Sequence, residues 1–287
     1  MTKHIRLKHG DNDNNSKWGG NILSTTHYYA IKELQSDLKA VGTYTVSING
    51  IFGPKTEKAL KLFQWILKNM GHCLKDNKIN SRIKNPSILI SGSLDENTKS
   101  ELISWRSTNK IVTGDLVRIQ FSDLSNCEAS PNFKKTSSSK VLEGEMVISK
   151  GALALIKNIN SFAKNKSITI KINQTFRENK LKVTGAVVSP AQKSQHLIGH
   201  ALDCNIVDGD NWNNSTTFKN KEETDNAKGL ISAIKNLEYR WGGDFTPIDT
   251  PHFDLKIDHD FFDYEAKYFF NQRMISLSQE IRKEKIL

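Results

Sequence analysis

Two histidines and two aspartates in the C-terminal half are spaced so that they could carry out metal-assisted hydrolysis. His196 and Asp203 lie a few residues apart, and a glycine between them lets the backbone turn so that both side chains can converge. His252 lies between a proline and a phenylalanine, and strand alternation directs it away from the core. Catalytic zinc takes three nitrogen or oxygen ligands and leaves one position open for water. We therefore predict one Zn²⁺ per chain, bound by His196, Asp203 and His252.

The proton-transfer group is predicted nearby. Asp249 stands three residues before His252, across a proline, where its carboxylate could lie beside the metal and accept a proton from the attacking water. Asp254 shares the predicted strand face of His252, and it serves either as the alternative base or as an acceptor for an imidazole N–H. His200 is expected at the solvent or substrate rim.

Three sequence patterns carry a family resemblance. Residues 194–203 read SxHxxGxAxD, residues 241–245 are Trp-Gly-Gly-Asp-Phe, and residues 249–253 read Asp-x-x-His-Phe. Together they resemble the LAS zinc peptidases. That group includes D-Ala-D-Ala carboxypeptidases and dipeptidases, and the L-Ala-D-Glu endopeptidases of phage endolysins and sporulating bacteria.

The resemblance implies a role for each residue. His196, Asp203 and His252 would bind zinc, and Asp249 would be the catalytic base. The family also places an arginine before the first motif, at the end of a strand, and Arg177 fits that place. Its fixed charge and fork of donors suit it to hold the scissile carbonyl and its developing negative charge.

A second resemblance lies upstream. Apolar residues recur at three- and four-residue intervals through residues 31–41, and a second amphipathic helix is predicted to begin near Pro54. The loop-plus-helix unit that opens at Gly50 recurs in weak form at Gly92. The Asn-Gly-Ile-Phe-Gly-Pro-Lys-Thr stretch, with Phe-Gln further on, resembles the three-helix peptidoglycan-binding domains of wall hydrolases. This implies an all-α domain over residues 28–107.

Four residues are predicted to contact substrate. Asn49 and Phe52 belong to the wall-binding motif, and Ser194 opens the first peptidase motif. Trp241 forms either one wall of the substrate cleft or part of the ordinary core.

The predicted organisation has four parts: a polar N-terminal arm (1–27), the three-helix domain (28–107), a linker or loop-rich start to the next domain (108–145), and the zinc peptidase domain (146–287). The peptidase domain is expected to be α+β, with a small, mainly antiparallel sheet and flanking helices. The insert between Gly71 and Leu94 is longer than the family pattern.

The composition limits the classes of binding partner that the sequence predicts. A net charge of +10 favours a polyanionic partner, and the resemblances make this bacterial peptidoglycan. Nucleic acid is not predicted, because no basic block is interleaved with aromatics. No apolar stretch reaches the ~18 residues of a membrane span. The three cysteines are too widely spaced for a disulfide framework or a metal knuckle.

The expected setting follows from the N-terminal residues, which lack the apolar core of a secretory signal peptide. We expect synthesis in the cytoplasm, and action in the periplasm or on the cell wall after holin-, secretion-system- or lysis-dependent release. This is typical of an antibacterial endolysin, or of an effector with secretion machinery and an immunity protein as partners. The chain is expected to be a monomer.

Three functions stay open from the sequence. A wall-binding domain suits a polymeric substrate, which favours an endopeptidase that cuts the stem peptide, with L-Ala-D-Glu as the leading bond. The alternatives are a D-Ala-D-Ala carboxypeptidase and a wall-binding protein without catalytic activity.

Overall fold

A computed structural model describes residues 7–11, 30–179 and 193–286, and the chain divides into two compact units. Unit 1 spans residues 1–113 and unit 2 spans residues 114–287. Among the described residues, no helix combines the length and the apolar character that crossing a membrane requires.

The described residues of unit 1 form three helices and three short strands. In chain order these are α1 (Ile31–Val41), α2 (Pro54–Asn69), β1 (His72–Lys75), β2 (Lys78–Ser81), α3 (Glu96–Ser107) and β3 (Lys110–Ile111). The strands form an antiparallel sheet in the order β2-β1-β3. This sheet adds to the predicted helices, because the insert after Gly71 folds into the β1–β2 hairpin. Asp76 and Asn77 at its turn have φ of 52° and 59°, as a tight hairpin turn requires.

The two loop–helix junctions of unit 1 are built in the same way. In each, a buried glutamine of the preceding helix accepts hydrogen bonds from two successive loop N–H groups and donates one to a threonine in the first turn of the next helix. The residues are Gln35, Asn49, Gly50 and Thr56 in the first junction, and Gln64, Ser91, Gly92 and Thr98 in the second. The weak sequence repeat is therefore a repeat of hydrogen bonding.

Residues 7–11 belong to the predicted polar arm, yet they pair with both loops. Leu7 is buried, and its carbonyl accepts the N–H of Leu94 at 3.0 Å. The backbone N–H and C=O of Phe52 bond to the other end of the segment at 2.8 and 2.9 Å. Composition could not show this, because the pairing uses the backbone. The rest of the arm lies outside the described residues.

Unit 2 is an α+β domain. Its helices and strands, in chain order, are β4 (Leu116–Gln120), β5 (Cys127–Ala129), β6 (Glu145–Ser149), α4 (Leu153–Lys166), β7 (Thr169–Gln174), β8 (Ala201–Asp208), β9 (Asn211–Asn213), α5 (Ser215–Asn220), α6 (Asp225–Asn236), β10 (Arg240–Trp241), β11 (His252–Asp254), α7 (Phe262–Ser276) and β12 (Arg282–Lys283). The larger sheet has the order β10-β11-β8-β7-β5, with β9 paired to β8, and only β5 and β7 run parallel. A smaller sheet has the order β12-β4-β6. The predicted α+β class is confirmed.

The structure differs from the sequence prediction between residues 108 and 145. This segment was expected to be a linker or a loop-rich start, but it contains β3, β4 and β5. β4 pairs along its whole length with β6, and Leu116, Val117 and Ile119 are buried. Strands this short, separated by polar turns, leave too little periodicity for a sequence pattern to reveal.

The main core of unit 2 lies on one face of the larger sheet. α4 and α6 pack on one face, against side chains that include Leu202, Cys204 and Phe253. Because side chains alternate along a strand, Asp203, His252 and Asp254 lie on the opposite face. The three cysteines are free and buried.

Candidate metal centre

His196 is held in a short 3-10 turn. The Ser194 hydroxyl accepts the N–H of His196 at 3.3 Å, and Gly199 ends the turn with φ +74°. A Cβ on Gly199 would lie 2.7 Å from the backbone nitrogen of Ser149, so the position requires glycine. The Nδ1 atom of His196 is 2.6 Å from the carbonyl oxygen of Thr175, to which it donates. Nε2 is therefore the nitrogen that faces the centre.

Side chains of helix α7 hold the 3-10 turn that carries His196. Tyr264, Asn271 and Gln272 each hydrogen-bond to the backbone of residues 194–198, at distances of 2.7–3.0 Å. None of the three was identified from the sequence. Tyr264, Lys267 and Asn271 follow one another at helical spacing, and such a polar stripe on a buried helix could have indicated them.

Asp203 and His252 face each other directly across β8 and β11. The Asp203 Oδ1 atom lies 3.0 Å from His196 Nε2 and 3.1 Å from His252 Nδ1, and the two nitrogens are 3.1 Å apart. Ligand atoms of a tetrahedral zinc with bonds of about 2.0–2.1 Å are ~3.3 Å apart. Within the described part of the chain, this is the one cluster of three metal-ligating side chains. Its spacing and its two-nitrogen, one-oxygen donor set both fit zinc.

The electrostatics of the cluster favour a cation. Burial alone would raise the pKa of the Asp203 carboxyl, but His196 and His252 outweigh burial and hold that pKa well below its usual range. Burial opposes a charged His252, yet hydrogen bonds to Asp203 and Asp254 raise the His252 pKa to about 9. An environment that favours a proton so strongly will also favour a divalent cation in its place.

Asp249 lies at the edge of the cluster. Its N–H donates to the Gly242 carbonyl at 2.8 Å, and its carbonyl accepts the His252 N–H at 3.0 Å. A Cβ on Gly242 would lie 2.0 Å from the Asp249 carbonyl oxygen, so this close approach requires glycine. Burial and the nearby charge of Asp203 raise the pKa of the Asp249 carboxyl. The described residues give this carboxylate no hydrogen-bond donor.

Arg177 follows β7 and reaches the same cluster. Its backbone N–H donates to the His196 carbonyl at 2.9 Å, and the residue is only 7% exposed. Burial lowers the pKa of its guanidinium, while the charges of Asp203 and Asp249 act in the opposite direction. No hydrogen bond to the guanidinium is formed by the described residues. A buried cation therefore lies beside the cluster of His196, Asp203 and His252.

Residues 188–255 match the family described as D-alanyl-D-alanine carboxypeptidase, and residues 28–68 match the putative peptidoglycan binding domain. Unit 2 carries a LAS-type metallopeptidase domain. The chain is thus a peptidoglycan peptidase with a peptidoglycan-binding domain in unit 1. A comparison with curated proteins gave no match.

In the peptidase domain, Asp254 makes the contact expected of a helper. Its Oδ2 lies 2.9 Å from His252 Nε2, and the guanidinium of Arg240 donates to both of its carboxylate oxygens. The Asp254 side chain is only 1% exposed and both oxygens are engaged, so it cannot serve as the alternative base.

His200 is not at the rim of the peptidase site. The residue is 2% exposed, and its Nε2 lies 3.1 Å from the Ser149 hydroxyl. Ser149 in turn donates to Asp115, which also forms a partly buried ion pair with Lys267. Burial, with help from Lys267, lowers the pKa of His200 to about 4. The expectation of an exposed His200 is wrong, because α7 covers this part of the domain.

Two of the predicted substrate contacts of the peptidase domain have structural partners. The Ser194 hydroxyl caps the turn that carries His196. The indole N–H of Trp241 donates to the Thr250 carbonyl at 2.8 Å, and its ring contacts Phe218 edge-on with centroids 5.6 Å apart. Trp241 therefore supports the loop that leads to His252.

The two predicted contacts in the wall-binding unit differ in exposure. Phe52 is fully buried, so its prediction as a substrate contact is wrong. Asn49 is exposed, but its side-chain oxygen accepts hydrogen bonds from Gln35 and from the N–H of Ile51. Both residues stabilise the conformation of this loop.

Phe245 is a site residue that the sequence did not single out. Its ring centroid lies 5.7 Å from that of His252, and the residue is half-buried. Its position in the Trp-Gly-Gly-Asp-Phe pattern, just before the Asp249 loop, was the available signal. Phe245 forms an apolar wall beside the ligand cluster.

Proposed function

We propose that the chain is a zinc-dependent endopeptidase that cleaves the stem peptide of peptidoglycan, with the L-Ala-D-Glu bond as its target. The observation that carries this is the cluster of His196, Asp203 and His252, whose facing atoms lie within 3.1 Å of one another. Asp249 and Arg177 lie beside it with no hydrogen bond to satisfy their charged groups among the described residues.

The proposed chemistry divides between the ion and the chain. When bound, zinc would supply an activated water molecule and polarise the amide carbonyl. Asp249 accepts the proton of the attacking water and returns it to the leaving amine, a task that suits a carboxylate whose pKa is raised. Arg177 donates to the carbonyl oxygen as negative charge develops on it. His196 and His252 stay neutral and keep their outer nitrogens on Thr175 and Asp254.

Unit 1 supports a polymeric substrate. A binding domain tethered to a catalytic domain raises the effective concentration of that catalytic domain on the polymer, so weak binding still increases the rate. This advantage applies to a stem peptide within the wall and is lost on free dipeptides. A net charge of +10 also suits a polyanionic wall.

A D-Ala-D-Ala carboxypeptidase is the second candidate, and the description of the matched family favours it. It would use the same ligands and the same base, but it would remove the terminal residue. A wall-binding protein without activity is less well supported, because the ligand set, the carboxylate and the arginine are all in place.

The biological setting belongs to the same proposal. The protein acts in the periplasm or on the cell wall after holin-, secretion-system- or lysis-dependent release, as an endolysin or an effector does. An immunity protein and secretion machinery would be partners only of an effector.

The test uses defined soluble muropeptides and identifies the products by mass. Full-length protein is incubated with one zinc equivalent, and a chelated sample restored with zinc is the control. Products that end in L-Ala and begin with D-Glu support the endopeptidase. Release of free D-Ala alone would establish the carboxypeptidase instead, and no cleavage of any muropeptide or sacculus would leave the binding protein.

A further inference from the structure

Arg240 lies behind the ligand cluster and is fixed on two sides. It pairs with Asp254 across β10 and β11, and its Nε and Nη2 atoms donate to the two oxygens of that carboxylate at 2.7 and 2.6 Å. The opposite contact is with Phe245, whose ring centroid lies 4.8 Å from the guanidinium carbon. One side chain thus contacts both the acceptor of His252 and the apolar wall beside it.

The Asp254 carboxylate connects Arg240 to the cluster. Its Oδ2 atom receives Arg240 Nη2 and also lies 2.9 Å from His252 Nε2. A carboxylate at this position accepts the Nε2 proton, which leaves Nδ1 as the atom that faces Asp203 and His196. The orientation of the His252 ring therefore depends on the plane of the Asp254 carboxylate.

The guanidinium of Arg240 fixes the plane of the Asp254 carboxylate in a way that a lysine could not. Two parallel N–H···O bonds from a guanidinium define both the position and the rotation of a carboxylate, whereas a lysine ammonium acts as a point charge. Asp254 is 1% exposed, so water cannot replace the fork, while Arg240 itself is 38% exposed.

We propose that Arg240 is a positioning residue for the metal centre: its forked bond to Asp254 sets the orientation of His252 and thereby the affinity for zinc. This inference rests on the proposed zinc-dependent function. Arg240 does not contact the metal or the substrate, and it acts through Asp254.

The competing explanation is that Arg240 acts through Phe245 or only stabilises the fold. A double-mutant cycle separates these, because two residues that act through one bond have effects that do not add. If Arg240 acts through Asp254, then Arg240→Lys should have no further effect once Asp254→Asn is present. Phe245→Leu removes the other contact and leaves the fork intact.

The experiment measures zinc affinity of the full chain by chelator competition for native protein, Arg240→Lys, Asp254→Asn, the double variant and Phe245→Leu. Lys235→Met is the matched control, since Lys235 makes a 2.7 Å surface ion pair with Asp244. We expect Arg240→Lys and Asp254→Asn each to weaken zinc binding by about 10- to 100-fold. The double variant should match Asp254→Asn, Lys235→Met should match native protein, and Phe245→Leu should weaken zinc binding by less than Arg240→Lys does.

A second readout does not depend on stability. The visible spectrum of the cobalt-substituted protein reports ligand geometry, so it should change in Arg240→Lys if His252 is reoriented. Native affinity and an unchanged spectrum in Arg240→Lys would overturn the inference, as would additive effects in the cycle. If Arg240→Lys does not fold, Arg240→Gln takes its place in the cycle. Native protein that binds no zinc would overturn the proposed function, and this inference with it.

Discussion

The buried glutamines of unit 1 and the polar side chains around His196 in unit 2 differ in how their hydrogen-bonding groups are satisfied. In unit 1, Gln35 and Gln64 direct every hydrogen bond inward, to the loop and helix beside them. In unit 2, the side chains around His196 converge on one point, and Arg177 and Asp249 reach it without a hydrogen-bond partner for their charged groups among the described residues. Polar groups that hydrogen-bond to their own neighbours stabilise a fold. Polar groups that converge without such bonds indicate a binding or catalytic site.

The largest effect should come from removing a convergent group. His196→Ala deletes one of three ligands, so we expect zinc to be lost and hydrolysis of sacculi to fall to background. Zinc content and release of soluble fragments measure this. His9→Ala, which removes an exposed histidine of unit 1, is the control and should retain both. Full activity in His196→Ala would remove the basis for the metal centre.

Asp249→Asn should separate chemistry from metal binding. The amide keeps the size of the side chain but cannot accept a proton, so kcat should fall by about 10²- to 10⁴-fold while zinc content stays at the native level. Assays on soluble muropeptides and metal analysis of the same sample test this. Loss of zinc would instead make Asp249 a ligand.

Arg177→Lys keeps the charge and removes the fork of donors. If Arg177 stabilises the developing oxyanion, kcat should fall by about 10²- to 10³-fold with little change in KM. Steady-state kinetics on one muropeptide distinguish the two constants. A rise in KM alone would assign Arg177 to substrate binding.

Gln35→Leu tests the role of the inward hydrogen bonds in unit 1. The change leaves two loop N–H groups and a threonine without their partner, so we expect unit 1 to lose about 3 kcal/mol of stability. Activity on intact sacculi should fall, and activity on short soluble muropeptides should not. Gln64→Leu should behave alike, because it occupies the matching place in the second junction. Equal loss of activity on both substrates would contradict a separate binding role for unit 1.

The smallest effect concerns His200. This residue lies in unit 2, but it stabilises the fold and does not face the metal centre. Its pKa is about 4 in the folded chain and ~6.5 when unfolded, so the unfolded state binds the proton first as pH falls. The contribution of neutral His200 is present above pH ~6.5 and is lost toward pH 4, which costs about 2 kcal/mol between pH 7 and pH 5. From pH 7 to pH 5, the free energy of unfolding of metal-free native protein should fall by about 2 kcal/mol more than that of His200→Gln, as measured by denaturation curves at each pH. Parallel curves would show that His200 is not buried as a neutral group.

Sequence reasoning succeeded where a motif or a long amphipathic pattern existed. The apolar spacing of residues 31–41 and the strand alternation around Asp203 and His252 were sufficient to place those elements, because each pattern is local. Ile148 shows the limit: the apolar residues from Ile148 to Phe162 predict one helix, but Ile148 lies in β6, and α4 begins only at Leu153. A short apolar run fits either element, and the choice depends on its partner β4.

The residues that sequence reasoning missed act across the fold. Arg240 meets Asp254 only through the register of β10 and β11, and Tyr264 meets Ser194 only because α7 lies behind the turn. The prediction for His200 was wrong for the same reason, because the residues around it in the sequence do not show that a distant helix buries it. Local patterns identify ligands, and tertiary contacts decide which neighbours hold them.

The pairing of His252 with Asp203 on neighbouring strands also affects how such an enzyme can diversify. A slip of one residue between β8 and β11 would turn one of the two ligands toward the core face and separate it from the other, so their register cannot drift. The connection between these strands, which carries β9, α5, α6 and β10, is under no such restriction at its outer loops. Insertions and deletions there can reshape the cleft and change which peptide enters it, while the hydrolytic centre stays in place.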